Sequence, residues 1–217
     1  IISFFFNKYI IRYLTIIFLS LIFSIYLFEA YMVFYKPLQN RIKIENDFKE
    51  RTGNDYDTRL RHEIYNDLKK EDPLIQIAIH PSFYLKNKNI KLFPLSGISN
   101  SRTIHCNENG YYSIYDSDRY GFNNPDDQWN FDEVEYLLVG DSYAHGACVN
   151  SPYDIASVLR NISNKSVINI AYRGNGPLIE YAGLREYLNT NVKKVLWFYY
   201  EGNDLADLKK ELNNNIL

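Results

Sequence analysis

The sequence predicts an α/β fold: a three-layer α/β/α domain on a parallel sheet, incomplete at its C-terminal end. One N-terminal transmembrane helix and an irregular, hairpin-containing segment precede it. Three observations predict this. An uncharged stretch near the start is long enough to span a bilayer. The last third alternates apolar runs with helical stripes, and each apolar run there ends in a Gly-containing polar loop. The chain therefore divides into an anchor (1–36), a stalk helix with a hairpin pre-domain (37–130) and an α/β part (131–217). A length of 217 residues holds one ordinary domain plus such an appendage.

The anchor rests on Tyr13 to Phe28, which carries no charge, and only Arg12 and Glu29 interrupt the wider apolar stretch from Tyr9 to Tyr35. A bilayer core of about 30 Å needs roughly 20 helical residues. Arg12 can snorkel to the headgroups, and Tyr9, Tyr13, Tyr31 and Tyr35 suit the two interfaces. A buried core helix or a cleaved signal peptide would share the pattern, but no small-x-small cleavage site follows it. Lys8 and Arg12 precede the span, and Lys36, Arg41 and Lys43 follow it, so positive charge does not choose an orientation. The membrane is the first expected partner.

Composition narrows the rest. Hydrophobic residues at 46% and charged residues at 23% fit a packed chain rather than a disordered one. The 24 basic and 26 acidic residues leave a net charge of −2, without the cationic surplus that displaces counterions from phosphates, so no nucleic-acid partner is expected. Two cysteines cannot build a four-ligand zinc site, and neither a metal nor a cofactor is expected.

In the middle segment Leu60, Ile64 and Leu68 form a helical stripe that ends before Pro73, and Thr52-Gly53-Asn54 separates it from the stalk. Arg102–Cys106 and Tyr111–Tyr115 flank Asn107-Glu108-Asn109-Gly110, the pattern of a hairpin with Gly at a positive-φ position. In the last third Val134–Val139 is a buried-strand run ending in Gly140-Asp141-Ser142. Ser151-Pro152 predicts an N-cap with Pro in the first turn, opening a helix with Ile155, Val158, Leu159 and Ile162. Val167–Ala171 is the second run, ending in Gly174-Asn175-Gly176. Pro177 opens a helix with Leu178, Tyr181, Leu184 and Leu188 on one face. Val195–Tyr200 is the third run, ending in Gly202-Asn203-Asp204. Apolar strands alternating with helices imply a parallel sheet covered on both faces, whose strand carboxyl ends form a ligand crevice.

Three small-polar loops thus converge on one place, with chemistry suited to acyl transfer. Ser142 at a strand-to-helix turn projects a hydroxyl beside free helix N–H groups. Gly174 lets a backbone N–H approach a reacting oxygen, and Asn203 offers an amide donor. The Ser142 N–H, Gly174 N–H and Asn203 amide could form an oxyanion hole, each donor being worth roughly 3 kcal/mol of barrier. Good turn chemistry alone would explain any one loop, less readily all three. Asp141 is expected to brace its turn, Asp204 to N-cap the next helix, and Glu201 to line the crevice.

VGDSYAHG, AYRGNGP and YYEGNDL resemble the first three sequence blocks of the SGNH (GDSL-like) hydrolase superfamily, in the family's order, over about Glu133 to Leu208. The resemblance implies Ser142 as nucleophile and Gly174 and Asn203 as oxyanion donors. YDSDRYGFNNPDDQW resembles the lead-in of membrane-anchored bacterial members, with no catalytic role implied. The family's fourth block, Asp-x-x-His, occurs nowhere in this chain. Of His62, His80, His105 and His145 only the last follows Ser142, and its place three residues on suits packing or substrate contact better than proton abstraction. The catalytic His and Asp are expected beyond residue 217, and the chain alone is expected to show little esterase activity.

Cys106 and Cys148 are either bridged, which outside the cytoplasm would clamp the hairpin over the nucleophile's helix and contribute about 4 kcal/mol, or two buried thiols. The expected function is a membrane-anchored serine esterase or O-acyltransferase acting on acylated envelope carbohydrate, or another ester, through an acyl-Ser142 intermediate. The soluble part is expected in the periplasm or outside the cell. The alternative is a catalytically inactive domain of the same type that binds glycan or a partner. A lipid esterase is a third option.

Overall fold

The computed structural model describes residues 7–87 and 90–217. Its chain separates into two compact units, one reaching to Tyr56 and one from Asp57 to Leu217.

The first unit is an unbroken helix: α1 (Lys8–Ala30), a π-helical turn (Tyr31–Tyr35) and α2 (Lys36–Thr52). Pro37 lacks the N–H that would bond the Val33 carbonyl, and the chain widens just before it, Lys36 N–H donating to the Tyr31 carbonyl. Gly53, at φ 74°, ends α2 in the left-handed conformation that glycine adopts without strain. The 23 residues of α1 cover roughly 35 Å, and this helix is long and apolar enough to cross a membrane. The anchor expected to end at residue 36 runs on as helix to Thr52.

The second unit is mixed α/β. Its first sheet holds β1 (Ile75–Ile77), β2 (Arg102–Ile104) and β3 (Ile114–Asp116), with β1 parallel and β3 antiparallel to β2. α3 (Arg61–Leu68) covers it, Ile64 packing on Ile75 and Ile104 with Leu68 alongside. Leu60 leaves the expected stripe: it precedes the first turn and is exposed. The predicted hairpin is present, Ile104 facing Ile114, and Asn107 Oδ1 accepts from Gly110 N–H at 2.9 Å to close its loop.

The second sheet is parallel, in the order β5 (Val167–Asn169), β4 (Val134–Val139), β6 (Val192–Trp197). Between the strands lie the short α4 (Ser142–His145), α5 (Ile155–Ser163) and α6 (Pro177–Tyr187), and α7 (Asp204–Glu211) follows β6. Val139, Leu137, Ile168 and Ile170 pack on one face with Leu184 and Tyr187 of α6, while Leu138 and Val167 meet Ala156 and Leu159 of α5. The first strand in sequence is thus central, with its successors on either side. Chain connections diverge between β4 and β6, the place where open α/β sheets form a crevice.

Four local expectations are corrected. α5 starts at Ile155 because Asp154, not Ser151, caps it: its carboxylate accepts from Ser157 N–H at 2.9 Å. α6 buries Ile179, Glu180 and Gly183, leaving Tyr181 and Leu188 exposed, because the carboxyl of Glu180 finds an indole donor inside. β6 begins at Val192, three residues before the apolar run, since Lys193 and Lys194, exposed on its two faces, pair with Glu133 and Glu135. Asn203 occupies the N-cap position of α7, and the Asp204 carboxylate instead accepts from Tyr200 N–H at 2.6 Å, closing the turn before it.

Candidate functional site

The site starts at the end of β4. A Cβ on Gly140 would lie 2.9 Å from Ala144 Cβ and 3.0 Å from Phe198 Cβ, so only glycine permits the chain to turn this tightly into α4. Asp141 is buried and braces the turn as its chemistry predicts, Oδ1 accepting from Tyr143 N–H at 3.1 Å. Its other oxygen faces the crevice and gathers two of the sequence-predicted groups. Ser142 Oγ–H donates to Oδ2 at 3.3 Å, and Asn203 Nδ2–H donates to the same oxygen at 3.3 Å. Asn203 Nδ2 also reaches Asp207 Oδ2 at 2.9 Å. Ser142 and Asn203, 61 residues apart in sequence, are thus joined through one carboxylate oxygen across the β4–β6 divide.

Gly174 sits on the neighbouring loop after β5, at φ 78°, where a Cβ would approach Ser82 Oγ to 3.0 Å. It lines a second cavity, beside Ser82, Asp207 and Glu211, rather than the cleft that holds Ser142. The amides on either side of it are committed, Arg173 N–H to His145 Nδ1 at 3.3 Å and Asn175 N–H to the Tyr172 carbonyl at 3.1 Å. Among the described residues the amides of Ser142 and Gly174 have no protein acceptor, as an oxyanion donor must not.

The cleft over Ser142 has a volume of about 550 Å³ and is lined by Glu108, Tyr143, Tyr153, Arg173, Tyr200 and Asn203, among others. One wall is the hairpin loop, fixed by the Cys106–Cys148 disulfide and by Asn109 Nδ2–H donating to the Cys148 carbonyl at 3.0 Å. Of the two alternatives for the cysteines, the bridged one is present. Arg173 is half-buried, 3.9 Å from Glu108 in a long ion pair, and a hydrogen bond with Tyr200 raises the Tyr143 phenol above its ordinary range. Of these lining residues Glu108, Tyr143, Tyr153, Arg173 and Tyr200 escaped sequence reasoning, although Tyr143, Arg173 and Tyr200 stand inside the three blocks.

Two candidates lie elsewhere. His145 is 1% exposed and does not line the cleft, so it is not a substrate contact. Its ring stacks on Tyr172 at 4.6 Å and meets the edge of His105 at 4.7 Å, with His80 5.8 Å beyond His105. Burial pushes all three imidazoles down, His80 to about 4 and His145 to about 3. Glu201 is exposed on its turn and outside the cleft lining. Beneath the site, burial pushes the Glu180 carboxyl up to about 8 although it accepts from Trp197 Nε1–H at 2.6 Å. Among the described residues the one group of metal-ligand types gathered within 4.8 Å is Cys106, Glu108 and Cys148, whose sulfurs are consumed by the disulfide.

No protein-family model matches the chain, and no curated protein or solved structure matches it either.

Proposed function

We propose that the protein is a membrane-anchored serine esterase or O-acyltransferase of the SGNH type, forming an acyl-Ser142 intermediate with acylated envelope carbohydrate. Its α/β part would belong to that family's three-layer domain, held by α1 in the membrane with the cleft on the periplasmic or outer side. The supporting observation is the meeting of Ser142 Oγ and Asn203 Nδ2 on one oxygen of Asp141 at the strand ends. A carbonyl carbon placed against Ser142 Oγ would put its oxygen near the Ser142 amide, where developing negative charge is stabilised, and Asn203 Nδ2 would join by exchanging its bond to the Asp141 carboxylate for one to that oxygen. The Gly174 amide, on the adjoining loop and without a protein acceptor among the described residues, would be the third donor. The exposed Tyr143 and Tyr153 rings on the cleft wall suit the apolar faces of a pyranose.

The second reading, a catalytically inactive glycan- or partner-binding domain, draws on a different observation. No imidazole among the described residues reaches Ser142: His145 faces the core, and its Nδ1 is taken by the Arg173 amide. Hydrolysis of p-nitrophenyl acetate and acetate release from acetylated polysaccharide, by the natural protein with the His and Asp that the catalytic reading requires, separate the two. The catalytic reading expects Ser142→Ala to abolish turnover and Asn203→Ala to lower it by roughly 10²-fold. Binding of acetylated polysaccharide without turnover, unchanged in Ser142→Ala, would select the second reading.

A further inference from the structure

Three blocks that resemble a catalytic constellation need something to hold them in register, and α4 is too short to do so alone. A four-residue helix has no stability of its own. Its backbone is pinned from outside instead: the Ala144 carbonyl accepts from Asn169 Nδ2–H at 2.6 Å, and the His145 carbonyl accepts from Asn123 Nδ2–H at 3.3 Å. One bond runs the other way, from this helix to the loop of the second block, and it is made by His145.

We infer that His145 is a positioning residue whose Nδ1 lone pair ties the nucleophile's helix to the Tyr172–Gly174 loop and so sets where the Gly174 amide points. The inference rests on reading Ser142, Gly174 and Asn203 as one site.

The chemistry of the ring distinguishes this role from simple packing. Nδ1 accepts the Arg173 N–H at 3.3 Å, which leaves the ring proton on Nε2. That Nε2 is buried without a partner, a desolvation cost that a phenylalanine of similar shape would avoid. What histidine supplies and phenylalanine cannot is an acceptor for the Arg173 amide. The stack on Tyr172 at 4.6 Å and 21° holds the ring plane so that Nδ1 keeps facing that amide. Burial above all, and the Arg173 charge nearby, keep the imidazole neutral, the state in which Nδ1 can accept. The loop so held bears Gly174 in the left-handed conformation, one residue after the bond.

The test uses the full chain in detergent micelles, labelled with ¹⁵N at histidine, arginine and leucine. The expected spectrum has the His145 proton on Nε2 and a bare, hydrogen-bonded Nδ1; the opposite tautomer overturns the inference. His145→Phe keeps a ring over Tyr172 without an acceptor, whereas His145→Asn places a carbonyl oxygen near the site of Nδ1. Exchange of the Arg173 amide with deuterium is expected to quicken about tenfold or more in His145→Phe and to stay within about twofold of wild type in His145→Asn. The Leu137 and Leu138 amides of β4 are expected to hold in both variants. Unchanged Arg173 exchange in His145→Phe, or loss of Leu137 and Leu138 protection in both variants, shows a packing role and overturns the inference. Turnover is read separately: His145→Phe is expected to lower kcat at constant KM, and His145→Asn to restore it. A wild type without turnover counts against the catalytic reading of Ser142 alone, and the exchange data still decide the role of His145.

Discussion

The two edges of the β5-β4-β6 sheet are built on opposite plans. The outward-facing peptide groups of β5 are covered by side chains. Asn169 N–H donates to Asn124 Oδ1 at 2.8 Å, and its carbonyl accepts from Asn124 Nδ2–H at 2.9 Å. Val167 N–H donates to Gln128 Oε1 at 3.2 Å, and its carbonyl accepts from Arg160 Nε–H at 2.9 Å. The segment behind Asn124 is itself tied down by the buried Asp118, whose carboxylate accepts from the Tyr120 and Phe122 amides, Asn124 Nδ2 and Trp129 Nε1. At the other edge β6 has no such cover among the described residues, and Val195 and Trp197 remain 38% and 44% exposed. A capped edge resists further strand pairing, and an open one invites it. The pre-domain therefore serves the sheet on one side only, the side where the Gly174 loop begins.

The flanks also carry opposite titrations. Toward the pre-domain lie His80, His105 and His145, each buried neutral with its pKa pushed down. Between α6 and α7 lie Glu180, Asp204 and Glu211, pushed up, first of all by burial. For the imidazoles the folded pKa is below the ordinary 6.5, so their contribution is complete above that pH and is lost as pH falls toward 3. A large pH effect follows. In a Glu180→Gln background, which removes the main opposing group, unfolding free energy should drop by about 4 kcal/mol between pH 7 and 5. Urea midpoints of the full chain across that range check it, and a flat profile would mean that the rings take up protons while folded.

The edges can be compared directly by mutation. Asn124→Ala leaves the Asn169 N–H and carbonyl and the Nη2 of Arg160 without the Asn124 partner, and should cost about 3–5 kcal/mol. Val195→Thr on the open edge should change stability by less than about 0.5 kcal/mol. Denaturation of both variants in the same detergent tests the contrast, and equal losses would show that the β6 edge is covered after all.

The same contrast explains what was legible in the sequence. β4 could be read because VEYLLV is buried on both faces, and a continuous apolar run is the signature of that environment. The loops at the strand ends could be read because a tight turn demands Gly, Asp and Asn. The apolar run starts three residues after β6 does because Lys193 and Lys194 are exposed on both of its faces, so its first half does not look like a strand. The buried face of α6 was missed because Glu180 occupies a position where the periodicity expects an apolar residue. Asn124 covers a partner 45 residues away, and no local pattern announces a hydrogen bond between such distant groups. His145 was visible as an imidazole near Ser142, but which way it faced depended on Tyr172 and His105, contributed by other segments.

Glu180 gives the sharpest test of the open flank. Its carboxyl lies 2% exposed between Trp197 and the Asp204 and Glu211 carboxylates. A folded pKa of about 8 against an ordinary 4.5 means that the folded protein holds a proton there which the unfolded chain releases. Stability from this group is therefore complete below pH 4.5 and declines as pH rises toward 8, opposite in sign to the histidines. Glu180→Gln keeps an oxygen for the Trp197 indole and removes the charge, so it should stabilise the protein by about 2–4 kcal/mol at pH 8 and by almost nothing at pH 5. Thermal unfolding at the two pH values reads this difference. A variant equally stable or weaker at pH 8 would place water around the carboxylate, and the flank between α6 and α7 would then be open in depth as well as at its edge.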